Sequence, residues 1–175
     1  MRAVVKLSIK GSSPLLMNRF PLVPQEALGK HPPADQAEIA AYREPDTKEL
    51  FVPGINFQRA LVNAAAYSKG KGRASLQKVA AACLLVTPER VLLGTRNFEV
   101  DSRAVVVPAT KGRIVRHRPR FDSWKLAFEI EYDDDLLSAK EVRRIVDDCG
   151  LRVGIGDFRP AKGGSFGRFS VVSWD

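Results

Sequence analysis

Two segments of the chain alternate apolar and polar residues. Within residues 3–9 and 124–132, every second side chain is apolar and most of the intervening ones are polar. Because successive side chains of a strand point to opposite faces, this period predicts two strands that each bury one face. The predicted buried residues are Ala3, Val5, Leu7 and Ile9 in the first strand, and Trp124, Leu126, Phe128, Ile130 and Tyr132 in the second.

Two further segments carry apolar residues at helical spacing. The first runs from about Ile55 to Ser68. The second begins with the capping box Ser138–Glu141, in which each side chain accepts a hydrogen bond from the other residue's backbone N–H. Gly150 is predicted to end this helix as its C′ residue. The predicted buried stripes are Phe57, Leu61, Ala64 and Ala65 in the first helix, and Val142, Ile145, Val146 and Cys149 in the second.

The order of these elements predicts the fold class. With a last strand at 166–174, the chain follows the order strand, helix, strands, helix, strand, which is the ferredoxin-like (split βαβ, RRM-like) α+β arrangement with an antiparallel sheet. One sheet face is then free, and RNA-recognition domains bind their ligand there. Further strands between residues 84 and 121 form either a subdomain or a hairpin that extends the sheet. We expect one domain over 1–175, with a proline-rich insertion at about 18–49 and a basic β-hairpin at about 98–121.

Composition excludes several classes of protein. The 175 residues are 45% hydrophobic, which excludes a disordered or fibrous chain. No apolar run reaches the ~20 residues that span a bilayer, so no membrane partner is expected. The two cysteines, Cys83 and Cys149, have no zinc spacing, and a reducing cytoplasm is the simplest location. The net charge of 28 − 20 = +8 favours a polyanionic partner, most often a nucleic acid.

The first basic cluster lies in the predicted hairpin. Arg116, Arg118 and Arg120 share one strand face about 6.6 Å apart, a spacing compatible with the phosphates of a single strand. The alternative is a solvated edge strand whose charges block aggregation. Given the net charge, we favour nucleic-acid contact, with Arg113 as a further member of the cluster.

Two glycine-containing segments carry the other cations. Lys69, Lys71 and Arg73 alternate with glycines that would let a backbone approach a phosphate, although cations also suit the end of the preceding helix without any ligand. The loop Gly154–Phe169 combines Arg159, Lys162 and Arg168 with Phe158 and Phe166. It is either a flexible hairpin or a surface for backbone clamping and base stacking.

These features resemble a known superfamily. The ferredoxin-like unit, the Pro53–Gly54 turn before a helix that carries Arg59–Ala60, and the glycine-rich loop before the last strand resemble the RAMP superfamily of CRISPR effector complexes, especially the backbone subunit that polymerises along guide RNA. More narrowly, Pro14–Asn18, Gly154–Pro160 and Gly167–Phe169 resemble small uncharacterised phage and prophage proteins. The RAMP G-x-G pair is Gly164-x-x-Gly167 here, a departure from that pattern. The resemblance implies a single-stranded nucleic acid as the partner, with RNA favoured over DNA and Arg59 in the binding site.

No catalytic constellation is evident in the sequence. One alternative to a binder is a metal-independent endoribonuclease with His31 as its general base. Another is a structural or interaction protein whose charge serves only solubility. Asp35 or Asp46 would be the loop aspartate that cuts target RNA in some backbone subunits, but neither has a supporting motif. We favour no cofactor and no metal, because the run Asp133–Asp135 also suits the approach to a helix N-terminus.

The proline-rich insertion predicts self-assembly. It begins beside the apolar residues Leu15, Leu16, Met17, Phe20, Leu22 and Val23. Docking of this run on a neighbouring copy would bury it, and a head-to-tail contact builds a helical filament unless it closes into a ring. We therefore expect a homo-oligomer along the bound strand, with other effector subunits as possible partners.

Overall fold

The structure of the chain, a computed structural model, describes residues 1–21, 24, 28–70, 72 and 74–175. Its strands are β1 (Arg2–Gly11), β2 (Leu15–Leu16), β3 (Phe51–Pro53), β4 (Leu85–Thr87), β5 (Arg90–Leu92), β6 (Glu99–Val106), β7 (Arg113–Phe121), β8 (Lys125–Asp133) and β9 (Phe169–Trp174). Its α-helices are α1 (Pro33–Ile39), α2 (Gly54–Ala64), α3 (Gln77–Cys83) and α4 (Ala139–Asp148). Short 3₁₀ turns follow at Ala65–Tyr67 and Pro160–Lys162.

The main sheet has four strands in the order β4-β8-β1-β9, and all of its pairs are antiparallel. Helix α2 connects β1 to β4 through the intervening segments, and α4 connects β8 to β9. This order is that of a split βαβ sheet. The α+β, ferredoxin-like fold predicted from the order of elements is therefore confirmed.

Alternation of side chains explains how this sheet buries one face. Val5 and Leu7 of β1 lie opposite Ile130 and Phe128 of β8, and all four are buried. The stripe of α2 packs on them: the Phe57 and Phe128 rings stack with their centroids 4.5 Å apart. The core therefore lies between the sheet and its two crossover helices, as the two periods of the sequence predict.

The opposite face of the sheet carries paired charges. Arg2 pairs with Glu131, and Lys6 Nζ lies 3.4 Å from a Glu129 carboxylate oxygen. Among the described residues that face this side, none is aromatic. The expectation that the free face would bind the ligand is therefore not supported, because base stacking on an RRM-type sheet needs aromatic rings there.

Helix α4 begins where its capping box predicts but does not end at Gly150. Ser138 Oγ accepts from the Glu141 N–H and a Glu141 carboxylate oxygen accepts from the Ser138 N–H, at 3.3 and 2.8 Å. Beyond Asp148 the chain continues as a π-helical turn, Cys149–Val153, and the left-handed residue is Gly154, at φ +69°. The position of Gly150 needs a glycine for another reason, since a Cβ there would lie 2.1 Å from the Phe169 carbonyl oxygen.

The strands between residues 84 and 121 do not simply extend the main sheet. Only the short β4 joins it, whereas β6 and β7 form a hairpin that pairs with β2 as a separate sheet in the order β2-β7-β6. Strands β3 and β5 form a two-stranded ladder. The hairpin therefore stands beside the main sheet, next to the chain that leaves β1.

The root of the proline-rich insertion packs inside this chain. Leu15, Leu16 and Met17 are each 3% exposed or less, so they belong to the core and are not free to dock on a neighbour. Phe20 is 80% exposed, whereas Leu22 and Val23 lie outside the described residues. Helix α1 of the insertion lies against β6 and β7. The prediction that the whole run is available for a partner is therefore wrong for its first three residues.

Candidate nucleic-acid interface

The glycine-rich loop between the π-helical turn and β9 is tightly bonded. Gly154, Gly156, Gly163 and Gly167 all have positive φ, between 69° and 78°. Its two arms are joined by the Ile155 N–H to the Gly167 carbonyl oxygen at 3.1 Å and by the Phe166 N–H to the Phe158 carbonyl oxygen at 3.0 Å. Of the two alternatives that the sequence left open, these bonds contradict a flexible hairpin.

The loop is also joined to the segment that follows β1. The Asp157 N–H donates to the Leu16 carbonyl oxygen at 2.9 Å, and the Gly167 N–H donates to that of Pro14 at 2.8 Å. In addition, Asn18 Nδ2 donates to Asp157 Oδ2 at 3.1 Å. The two segments that carry the narrower family resemblance, 14–18 and 154–160, are therefore in direct contact.

Arg118 of β7 connects the hairpin to this loop from inside the protein. It is 3% exposed, its Nη1 donates to Asp157 Oδ2, and its guanidinium lies 4.7 Å from the centre of the Phe158 ring. Its Nε and Nη2 have no hydrogen-bond partner among the described residues. A cation–π contact of this kind compensates part of the cost of burying the charge.

Arg120 makes a second connection. It pairs with Asp122 and Asp101, while its guanidinium lies 5.6 Å from the Phe166 ring, which Arg103 approaches at 4.6 Å. Burial raises the pKa of the Asp101 carboxyl, but the hydrogen bonds from Arg103 and Arg120 and the charges of Arg103 and Arg118 outweigh it and leave that pKa below the usual range. The Asp101 carboxylate thus stays ionised and holds both arginines.

The arginine row of β7 therefore does not present three equivalent cations. Period two places Arg116, Arg118 and Arg120 on one face as predicted, but Arg118 is buried and Arg120 is bound to two carboxylates. Arg116 is half-buried and forms no ion pair among the described residues. Two of the three thus fasten the hairpin to the loop, and one is available to a phosphate.

A cleft of about 240 Å³ lies between α2 and the loop. We call it the Arg59–Arg159 cleft, because these two side chains line it from opposite elements and neither forms an ion pair among the described residues. Asn56 and Asn63 line the cleft from the same face of α2. Neither asparagine is among the site residues predicted from the sequence, although the spacing of Asn56, Arg59 and Asn63 (i, i+3, i+7) places the three side chains along one helix face.

The other predicted cations are spread around these elements. Lys69 follows α2, Arg113 begins β7, and Lys162 and Arg168 lie on the loop; all four are exposed, and none forms an ion pair among the described residues. Lys71 and Arg73 lie outside the described residues. The predicted stacking rings, Phe158 and Phe166, are both half-buried, and each has an arginine over its ring.

The predicted catalytic and metal candidates lie away from this cleft. His31 is exposed, and its carbonyl oxygen accepts from Gln36 Nε2 at 2.8 Å. Asp35 lies in the first turn of α1, and Asp46 lies in a turn before β3. The carboxylates of Asp133, Asp134 and Asp135 lie within 4.8 Å of one another before α4.

No helix in the described part of the chain is long and apolar enough to cross a membrane.

Comparison with known proteins supports the fold. No protein-family model matches the sequence, and no curated protein matches it either. Among solved structures, the chain is similar to one in the cryo-EM structure of the Type III-B Cmr-beta bound to cognate target RNA, with a TM-score of 0.65 and 11% sequence identity. The match covers 99% of this chain and 60% of that one. The chain thus shares the fold of a chain in that RNA-bound structure, over about three fifths of its neighbour's length.

Proposed function

We propose that the chain is a non-catalytic, RAMP-like protein that binds single-stranded RNA. One observation carries this proposal: two arginines that form no ion pair within the described part of the chain and two asparagine amides converge on the Arg59–Arg159 cleft. Guanidinium groups suit phosphates, and amides both donate and accept hydrogen bonds, which suits the 2′-hydroxyl that distinguishes RNA from DNA. The structural neighbour's association with target RNA supports the same choice.

The charges around the cleft continue this surface. The cations without ion pairs among the described residues provide a path for a phosphate backbone beyond the cleft, and the net charge of +8 favours association with a polyanion. In this proposal Arg118 and Arg120 hold the loop and hairpin in position for the strand. The proposed phosphate-binding residues are Arg59, Lys69, Arg113, Arg116, Arg159, Lys162 and Arg168.

The salt dependence of binding tests the cleft directly. Each phosphate neutralised on a single strand contributes about 0.7 to the slope of log K against log salt. The double variant Arg59→Gln/Arg159→Gln should therefore lower the slope by about 1.4, measured by fluorescence anisotropy with a labelled RNA of mixed sequence. The RNA strand should also bind more tightly than the DNA strand of the same sequence.

The control removes the same charge elsewhere. Lys140 and Arg144 are exposed on α4 and form no ion pair among the described residues. Lys140→Gln/Arg144→Gln lowers the net charge by the same two units, so it should reproduce only the general effect of net charge. If the two double variants have equal slopes of log K against log salt, the Arg59–Arg159 cleft is not part of the binding site.

We also propose that the protein forms a head-to-tail homo-oligomer along the strand. With Leu15–Met17 in the core, the support moves to two exposed apolar side chains of the hairpin, Val106 and Val115, which are 55% and 57% exposed. A neighbouring copy would cover these side chains.

Light scattering tests the oligomer. The mass should rise with protein concentration and rise further with a long single-stranded RNA, and Val106→Ser/Val115→Ser should reduce that growth. The control is Leu136→Ser, which changes a 56% exposed apolar residue on the turn before α4. A wild-type protein that stays monomeric at tens of micromolar with and without RNA would contradict assembly.

A further inference from the structure

A second cavity adjoins the Arg59–Arg159 cleft. It has a volume of about 450 Å³ and lies among the hairpin, the start of the insertion and the loop, with Phe20, Phe158 and Arg116 among its lining residues. Asn18 and Asp157 line both this cavity and the cleft. The bonded Asn18–Asp157 pair is therefore a wall common to the two sites, and a strand in the cleft passes directly beside the second cavity.

Phe158 is held in this cavity by a conformation that such a residue rarely adopts. Its φ is +48°, which is a genuine outlier for a bulky side chain. Two hydrogen bonds fix it: its N–H donates to Asp157 Oδ1 at 3.1 Å, and its carbonyl oxygen accepts from Phe166. A Cβ on Gly164 would lie 1.8 Å from that same carbonyl oxygen, so the loop is built around this conformation. Strain of this kind is concentrated at ligand sites.

Phe20 gives the cavity a second aromatic ring. The Phe20 side chain is 80% exposed, so it does not contribute to the hydrophobic core. Every nucleobase has a π-face, and stacking on an aromatic side chain is a common way to bind an unstacked base of a single strand. Arg116, which also lines the cavity, forms no ion pair among the described residues and suits the phosphate attached to such a base.

The polar groups of the common wall are rich in acceptors. Asn18 Nδ2 donates one of its two N–H groups to Asp157, and the Asn18 carbonyl oxygen Oδ1 accepts no hydrogen bond from the described residues. Asp157 Oδ1 accepts one hydrogen bond, from the Phe158 N–H, so it has capacity for another. Acceptors of this kind pair with an exocyclic amino group, which cytosine has at the position where uracil has a carbonyl oxygen.

We propose that this cavity, the base pocket, binds one nucleobase turned out of the strand, and that it prefers a base with an exocyclic amino group. The proposal rests on the proposed function, because the strand must first lie in the Arg59–Arg159 cleft. Phe20 and Phe158 stack on the base, Asn18 and Asp157 accept from its amino group, and Arg116 holds the adjoining phosphate. The protein thus contacts one base in addition to the phosphates.

Binding of three RNA strands of equal length tests the base pocket. Cytidine, uridine and abasic strands of twelve nucleotides carry the same phosphates, so differences in affinity between the strands report on the bases. The wild type should bind the cytidine strand about tenfold more tightly than the abasic one, the effect of one stacked base. Phe20→Ala should lose about that factor on the cytidine strand and less than a factor of two on the abasic strand. Leu136→Ala is the control and should change neither.

Asn18→Ala tests the preference for an amino group. The wild type should bind the cytidine strand about fivefold more tightly than the uridine strand, which is the effect expected of one hydrogen bond. Asn18→Ala should weaken binding of the cytidine strand by a larger factor than binding of the uridine or the abasic strand, so that most of this preference is lost.

The outcomes separate the two proposals. If the wild type binds none of the three strands, the proposed function is overturned and the base pocket with it. If it binds all three equally, or if Phe20→Ala weakens the cytidine and abasic strands by the same factor, the base pocket alone is overturned and RNA binding through the phosphates stands.

Discussion

Gly167→Ala is expected to lower the free energy of unfolding by at least about 3 kcal/mol. The residue has φ +74°, where a Cβ is strained, and the added Cβ would lie 1.8 Å from the Ile155 carbonyl oxygen. That oxygen belongs to backbone in the core, because Ile155 is 1% exposed. Gly167 therefore has to move, which disturbs its hydrogen bond to Pro14 and the Ile155 hydrogen bond that joins the two arms of the loop. Denaturant unfolding with a constant m-value measures the loss.

Gly163→Ala is the matched control for this substitution. Gly163 has nearly the same φ, +77°, but apart from its two chain neighbours no described residue has an atom within 4 Å of the position of its Cβ. Gly163→Ala should therefore lower the free energy of unfolding only by the cost of a positive φ for a residue with a Cβ, about 1 kcal/mol. Similar losses at the two positions would mean that the close packing of Gly167 contributes nothing, and the loop would be less tightly bonded than the structure indicates.

The main sheet and its helices were predictable because their signals are local. The alternation in β1 and β8 identifies the buried face of each strand residue by residue, and the capping box locates the start of α4 within one residue. Given these elements, their order along the chain is enough to propose a split βαβ sheet. The end of α4 was not predictable in this way, because Gly150 is required by its contact with Phe169, a residue of another element.

The state of the β7 arginines was not predictable from the strand period. Alternation shows that Arg116 and Arg118 share a face, but not which of them meets a carboxylate. The partner of Arg118 is Asp157, 39 positions further along the chain. A pattern within one strand contains no information about that contact, so three similar arginines looked equally available for phosphates.

The candidate cleft was partly visible in the sequence. Asn56, Arg59 and Asn63 form a polar stripe at helical spacing, and searching α2 for its polar face as well as its apolar face would have identified them. Their opposite wall, with Arg159, comes from a loop about a hundred positions away. The base pocket likewise needs Asn18 and Asp157 together, a pairing that only the tertiary structure provides.

Asp157→Asn is expected to lower the free energy of unfolding by about 3 kcal/mol. The substitution leaves the Arg118 guanidinium buried, with a side chain 4% exposed and without its carboxylate, while keeping the shape of the residue. Two of its nitrogens already have no hydrogen-bond partner among the described residues, so no second acceptor replaces the one removed. Asp122→Asn is the control, because Asp122 is 56% exposed and its pair with Arg120 should contribute less than about 1 kcal/mol.

A second substitution shows that the loss comes from an unpaired buried charge. Arg118→Met removes the charge and keeps an apolar stem over Phe158, so Arg118→Met/Asp157→Asn should recover most of the stability lost in Asp157→Asn, with a coupling energy of about 2 kcal/mol in the double-mutant cycle. Denaturant unfolding of all four proteins gives this coupling. If the two single losses simply add, the Arg118–Asp157 pair does not join the hairpin to the loop, and the common wall of the cleft and the base pocket would need another support.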